Sequence, residues 1–180
     1  MSACSSILVG CLGSVAWARV EGRADQTNCG NVKRFLRDQL GAGFRRFVVD
    51  LQDCSGIDST FIGMLYRLAC DVEELDNDGT VEVINPGERN QKAICKLGLN
   101  RKIRIDPDGS GWSREQDLIA KNLQIPPSSE PLNKRERAEM ILEAHEALAA
   151  ANDENKNRFC DVLEYFRKDV ESEGDDGDTW

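Results

Sequence analysis

Along the first 106 positions, short apolar runs of strand length alternate with stripes of helical spacing. Ser5 to Leu12 and Val15 to Glu21 read as two strands joined at Gly13-Ser14 into a hairpin. Thr27 or Asn28 caps a helix running to about Leu40. Its Val32, Phe35, Leu36 and Leu40 share one face, and Gly41-Ala42-Gly43 ends it. Arg46 to Leu51 is a short apolar strand of the central type. From Ser59 to about Leu75, Ile62, Leu65, Tyr66 and Ala69 fall at helical spacing. Asn77-Asp78-Gly79 is a turn, Val81 to Ile84 a strand, and Asn85-Pro86-Gly87 a break. A short helix from Arg89 to Leu97 ends at Gly98, and Lys102 to Asp106 is the last strand. Strand and helix in alternation imply parallel crossover units, and the initial hairpin adds an antiparallel strand. The pattern predicts an α/β domain over residues 1–106, a mixed and mostly parallel sheet with helices, able to fold without the rest of the chain.

The remainder is patterned differently. Residues 107–131 hold Pro107, Gly109, Gly111, Pro126, Pro127 and Pro131 and read as a linker. Trp112 and Leu118-Ile119 are expected to tack it onto a surface. Residues 132–171 form a helical extension with two apolar faces. One is Met140, Ile141, Ala144, Leu148 and Ala151; the other is Phe159, Val162, Leu163, Phe166 and Val170. A helical hairpin turning within 152–157 and one continuous helix both fit. Asn152 or Asp153 can cap a second helix, but no Gly or Pro enforces the break. The second face calls for burial against the domain, a second copy of the chain or a partner. Residues 172–180 are an acidic tail, expected to be disordered.

Candidate chemistry concentrates between Phe47 and Leu65, where a buried strand, a loop and an amphipathic helix follow one another. Asp58-Ser59-Thr60 stands at the helix start. Ser59 or Thr60 can cap the free amides there, and a phosphate would meet the positive end of the helix dipole. The same phosphate would meet the like charge of Asp58. A hydroxyl placed between these opposing pulls suits a phosphorylation switch.

These residues also carry a family likeness. Val48-Val49-Asp50-Leu51, then Gly56-Ile57-Asp58-Ser59-Thr60 and an apolar helix, resemble the STAS domain of bacterial anti-sigma factor antagonists. Gly22-Arg23-Ala24-Asp25 is similar to the family's Gly-x-x-Asp near the end of its second strand. Gly98-Leu99 before Ile103-Arg104-Ile105 is similar to its last helix and strand. The resemblance spans about residues 5–106. It implies a STAS-like fold with Ser59 as the phosphoacceptor and Asp58 shaping its electrostatics. Asp25 would lie near the site or serve as a turn residue before the first helix. Thr60 would be a structural cap or a second acceptor. Where the usual family motif continues with Gly, this chain has Phe61, which is expected to alter the rim of the partner-binding face.

Charge is unevenly placed. Residues 1–105 carry 14 Lys and Arg against 13 Asp and Glu, whereas residues 106–180 carry 9 against 19. The domain is therefore near neutral and presents no basic patch of the kind that binds nucleic acid, and the acidity belongs to the extension. The seven cysteines include no Cys-x-x-Cys pair, which argues against zinc ribbons and thioredoxin-like sites. They read as small core residues of a reducing compartment, with Cys54 as an alternative redox handle near Ser59. Leu8-Val9-Gly10-Cys11 and Ala16-Trp17-Ala18 imitate processing sites, but no Lys or Arg precedes Arg19 and Gly10, Gly13 and Ser14 interrupt the apolar run. A cytoplasmic location is expected. His145, the only histidine, has Ala149 where a zinc-protease motif needs a second His, so it is expected to be a solvated or interface side chain. Only carboxylates are visible as a base for Ser59, and no metal or other cofactor is expected.

The resemblance then implies a non-enzymatic, partner-switching regulator. Unphosphorylated, it would bind a serine kinase acting as anti-sigma factor or a related regulator, and a metal-dependent phosphatase of the PP2C type would restore that state. The C-terminal helices would offer a homodimer contact. Two other readings remain open: an accessory STAS subunit of a membrane transporter, and a self-association module.

Overall fold

A computed structural model describes residues 5–126 and 130–172. Five strands form one sheet in the order β1 (Ser6–Leu12), β2 (Val15–Ala24), β3 (Arg46–Ile57), β4 (Thr80–Ile84) and β5 (Ile103–Asp106). The first pair is antiparallel and the others are parallel. The crossovers are α1 (Cys29–Gly41), α2 (Ser59–Leu75) and α3 (Gly87–Lys96). Each crossover advances one strand in the same direction, so connections of one hand place all three helices on one face. β2 and β3 both run further than the apolar pattern suggests. They pair with each other as far as Ala24 opposite Ile57, and this extra length carries Asp58 to the end of β2.

Period-two alternation divides each strand between two faces. Ala16, Ala18, Val20, Phe47, Val49, Val81 and Val83 meet Val32, Leu36, Leu65 and Ile94 of the helices in the main core. Val15, Trp17, Val48 and Ile84 point the other way and are covered by Trp112 and Ile119. Those two come from a 3-10 turn, Ser110–Trp112, and from α4 (Ser113–Ala120). The stretch read as a linker thus covers the second face of the sheet. Trp112 stands edge-on to Trp17 with ring centroids 5.6 Å apart, and Arg46 lies 5.0 Å from its ring. Leu118, grouped with Ile119 in the sequence, instead faces solvent. On this same face the buried Asp50 accepts hydrogen bonds from Arg19 Nε at 2.9 Å and Asn85 Nδ2 at 3.1 Å.

The extension is a hairpin of α5 (Lys134–Ala151) and α6 (Asp153–Ser172). Asn152 is extended at φ −167° and ends α5, and its Oδ1 accepts from Asn155 N to start α6. A side-chain cap therefore makes the break that no Gly or Pro makes. Both Asn152 and Asn155 also donate side-chain amides to the Leu97 carbonyl, at 3.0 and 2.9 Å, which anchors the turn to the domain. Arg167 pairs with Glu146 across the hairpin at 3.0 Å. Phe159 and Leu163 are buried and Phe159 joins the main core, whereas Val162, Phe166 and Val170 stay half-buried, so the chain covers this face in part.

The hairpin packs along α2 as a third layer. Met140 and Leu148 of α5 belong to the main core, and a Cβ at Gly63 would run into the Ala144 carbonyl. Glu143 pairs with both Lys33 and Arg37 of α1, and Glu136 lies 3.8 Å from Arg34. Residues 173–180, most of the predicted acidic tail, lie outside the described residues, as does Cys4.

Candidate functional site

The site is built where two parallel strands end together. Asp58 N donates to the Ala24 carbonyl at 3.1 Å, which ties the end of β3 to the end of β2. Asp58, and not Ser59 or Thr60 as expected, is the N-cap of α2. Its Oδ1 accepts from Phe61 N at 2.8 Å and its Oδ2 from Gln26 N at 3.1 Å. A carboxylate both accepts strongly and favours the positive helix end, so it outcompetes the neighbouring hydroxyls. The Ser59 hydroxyl is thereby left for another partner. Thr60 is buried beneath the turn, at 3% exposure.

Asp25 acts locally as a turn residue. Its Oδ1 accepts from Thr27 N at 2.9 Å and Thr27 Oγ1 at 2.6 Å, and the Thr27 hydroxyl holds its carboxyl below the ordinary 3.8. It is linked to the start of α2 through its neighbours: Ala24 and Gln26, on either side, both bond Asp58.

The partner of Ser59 comes from the extension. Ser59 Oγ lies 3.0 Å from His145 Nε2 on α5. His145 Nδ1 lies 2.7 Å from the Ile141 carbonyl, which can only accept, so Nδ1 carries a proton. In the neutral ring Nε2 is then the acceptor and the Ser59 hydroxyl donates. His145 is buried, with the Phe159 ring edge-on at 5.2 Å. Desolvation pulls its pKa below the ordinary 6.5, against the opposing effects of the Ile141 carbonyl and the Asp58 carboxylate. Of the two expectations for His145, solvated or interface, the buried ring at the α5–α2 contact excludes the first, and the reading that only carboxylates can serve Ser59 is corrected. A hydroxyl donating to an oriented neutral imidazole is also how a nucleophile and its base are arranged. Here, however, the imidazole sits on a helix laid over the hydroxyl.

Phe61 does not alter any rim. It is fully buried and belongs to the main core, because the third residue after the cap turns toward the sheet. Of the described cysteines, only Cys29 is buried, and burial pushes its thiol up to about 12. Cys11, Cys95 and Cys160 are exposed, contrary to the reading of all seven as core residues. Cys54 is half-buried, and desolvation raises its thiol pKa, which disfavours the reactive thiolate of a redox handle. Among the described residues no helix is long and apolar enough to cross a membrane.

The pairing of Ser59 with His145 left no trace in the sequence beyond the position of the histidine. It follows Ala144 on the helix whose apolar stripe proved to face α2.

The STAS domain family matches residues 9–109. Among solved structures, a candidate anti-sigma factor antagonist from Thermotoga maritima superimposes with a TM-score of 0.52 at 18% identity. The match covers 60% of this chain and 91% of that one. An NMR structure of the same Thermotoga protein gives a TM-score of 0.51 at 18% identity over 59% and 85% of the two chains. An anti-sigma factor antagonist from Mycobacterium paratuberculosis, at 19% identity, is covered over 97% of its length and 67% of this chain, with a TM-score of 0.49. No curated protein matches the chain. The family match takes in more than half of the chain, including most of the β1–β2 hairpin, all three crossovers and the Asp58-Ser59 turn. The chain belongs to the STAS domain family.

Proposed function

We propose that this protein is a partner-switching regulator, of the anti-sigma factor antagonist kind, controlled by phosphorylation of Ser59. The observation that carries the reading is the division of labour at the start of α2. Asp58 takes the cap, which leaves the Ser59 hydroxyl at the positive helix end beside a fixed carboxylate. The solved Thermotoga structure, a candidate anti-sigma factor antagonist, supports the same reading. The unphosphorylated protein binds a serine kinase that doubles as anti-sigma factor, in the bacterial cytoplasm. In the kinase step, Ser59 Oγ forms a bond to the γ-phosphorus of ATP, the bond to the ADP oxygen breaks, and the hydroxyl proton leaves to a base. A PP2C-type phosphatase returns the hydroxyl by hydrolysis. The added charge, about −1.5 to −2, lands on a surface suited to a neutral hydroxyl and ends the complex. The protein's own role is binding rather than catalysis.

The test is mass spectrometry of the full-length protein isolated from its native cells under growth and stress. Phosphate is expected on Ser59, and phosphate elsewhere, or none under any condition, overturns the reading. Ser59→Ala should retain the bound partner constitutively. Ser59→Asp should weaken it only in part, because one carboxylate carries less charge and fewer acceptor oxygens than a phosphate.

A further inference from the structure

The α5–α6 hairpin covers the helix that begins at Ser59, and it holds the serine through a hydrogen bond to His145. Docking rests on four kinds of contact besides the Asn152 and Asn155 bonds to the Leu97 carbonyl. Apolar side chains Met140 and Leu148 enter the main core. Gly63 admits the backbone of α5 so closely that no side chain fits there. Glu143 faces the paired cations Lys33 and Arg37. Ser59 closes the list by donating its hydroxyl proton into the imidazole.

We propose that the C-terminal hairpin is a cap over Ser59, latched by His145, and that the docked hairpin and a phosphoryl group on Ser59 exclude one another. The inference rests on the reading of Ser59 as a phosphoacceptor. A phosphoryl group replaces the proton that lies between Oγ and Nε2, in a gap of 3.0 Å already filled by one hydrogen bond. With Nδ1 committed to the Ile141 carbonyl, Nε2 presents a lone pair to the incoming phosphate oxygens. Asp58 stands beside it with a second negative charge. The hairpin adds to the repulsion, since residues 134–172 carry 7 Lys and Arg against 10 Asp and Glu. Protonating His145 would relieve the lone pair, but the ring is buried and already resists the charge.

Release uncovers the α2 face around Gly63 and Met64 and frees Lys33 and Arg37, so the modification changes far more surface than one serine. Linkage makes the effect reciprocal: the factor by which phosphate weakens docking is the factor by which the docked hairpin disfavours phosphorylated Ser59.

The test uses the full chain with phosphoserine encoded at position 59 during translation, so it needs no natural kinase. Its failure is thus separate from a failure to find phosphate in cells. Hydrogen exchange is compared with the unmodified chain. Amides of α5 and α6 are expected to exchange ~10-fold faster or more, while those of β2 and β3 keep their protection. Glu143→Lys, which reverses the charge facing Lys33 and Arg37, should give the same signature without touching Ser59. Unchanged or increased protection of α5 in the phosphoserine chain overturns the proposal, the increase meaning that a protonated His145 holds the phosphate. If phosphoserine instead loosens the sheet as well, Ser59→Asp is the second probe. A partial loss of protection confined to α5 and α6 supports the cap, and an unaltered hairpin overturns it.

Discussion

At the scale of single residues, His145 makes the docked state sensitive to pH. Its folded pKa lies below the ordinary 6.5 because burial penalises the charged ring. The unfolded chain therefore binds the proton more readily than the folded one. The stability associated with the neutral ring is complete above about pH 6.5 and is lost as pH falls through the folded value. His145 is the only histidine, so a stability change just below pH 6.5 reports on it. Urea midpoints measured at pH 7 and about pH 5.5 should fall for the natural chain and change much less for His145→Gln. An equal fall in both would assign the effect to carboxylates instead. Phe61 illustrates a different residue-scale lesson. The same position that a motif comparison marks as partner-facing is, by burial, part of the core.

At the scale of elements, the packing of α5 on α2 can be read through Gly63. In an isolated helix, Gly→Ala is favourable by about 1 kcal/mol, because alanine restricts the unfolded backbone. In this protein the added Cβ meets the Ala144 carbonyl, so α5 must shift before the gain can appear. Gly63→Ala is therefore expected to lower the melting temperature while the hairpin is docked. A raised melting temperature would mean that α5 does not rest on α2 in solution. The break between α5 and α6 belongs to this scale too. Asn152 supplies the cap for α6 and a bond to the domain at once, so the turn is specified both by local chemistry and by its docking point at Leu97.

At the scale of the whole molecule, the layers do not coincide with the boundaries suggested by composition. Among the described residues, the second face of the sheet, with Trp17, Val48 and Ile84, is covered by Trp112 and Ile119, both beyond 106. Residues 1–126 are expected to melt cooperatively, since they keep both faces of the sheet covered and lose the hairpin with its core residues Met140, Leu148 and Phe159. Residues 1–106 should melt markedly lower or associate, with that apolar face open to water. Circular dichroism melts of the two fragments beside the full chain separate these outcomes. If 1–106 melts as high as 1–126, the Trp112 and Ile119 layer contributes little to the fold.

Local pattern determined most of the domain. Strand and helix periods, turn residues and the Asp58-Ser59-Thr60 helix start are properties of consecutive residues, and they were legible because hydrophobic spacing and backbone preference act over a few positions. The strands were nonetheless read short at Ala24 and Ile57, since the polar ends of β2 and β3 are held by pairing with each other rather than by apolar content. The cap was likewise read as Ser59 or Thr60, because hydroxyls also cap helices, and only the geometry of the Phe61 and Gln26 amides selects Asp58. Tertiary structure alone decided what lies on Ser59. His145 is 86 residues away on a helix whose apolar stripe shows that it packs, but not on what. An amphipathic face specifies the need for burial, which is non-directional. The partner is chosen by shape and charge together, here by the bare backbone of Gly63 and the cations of α1 that receive Glu143.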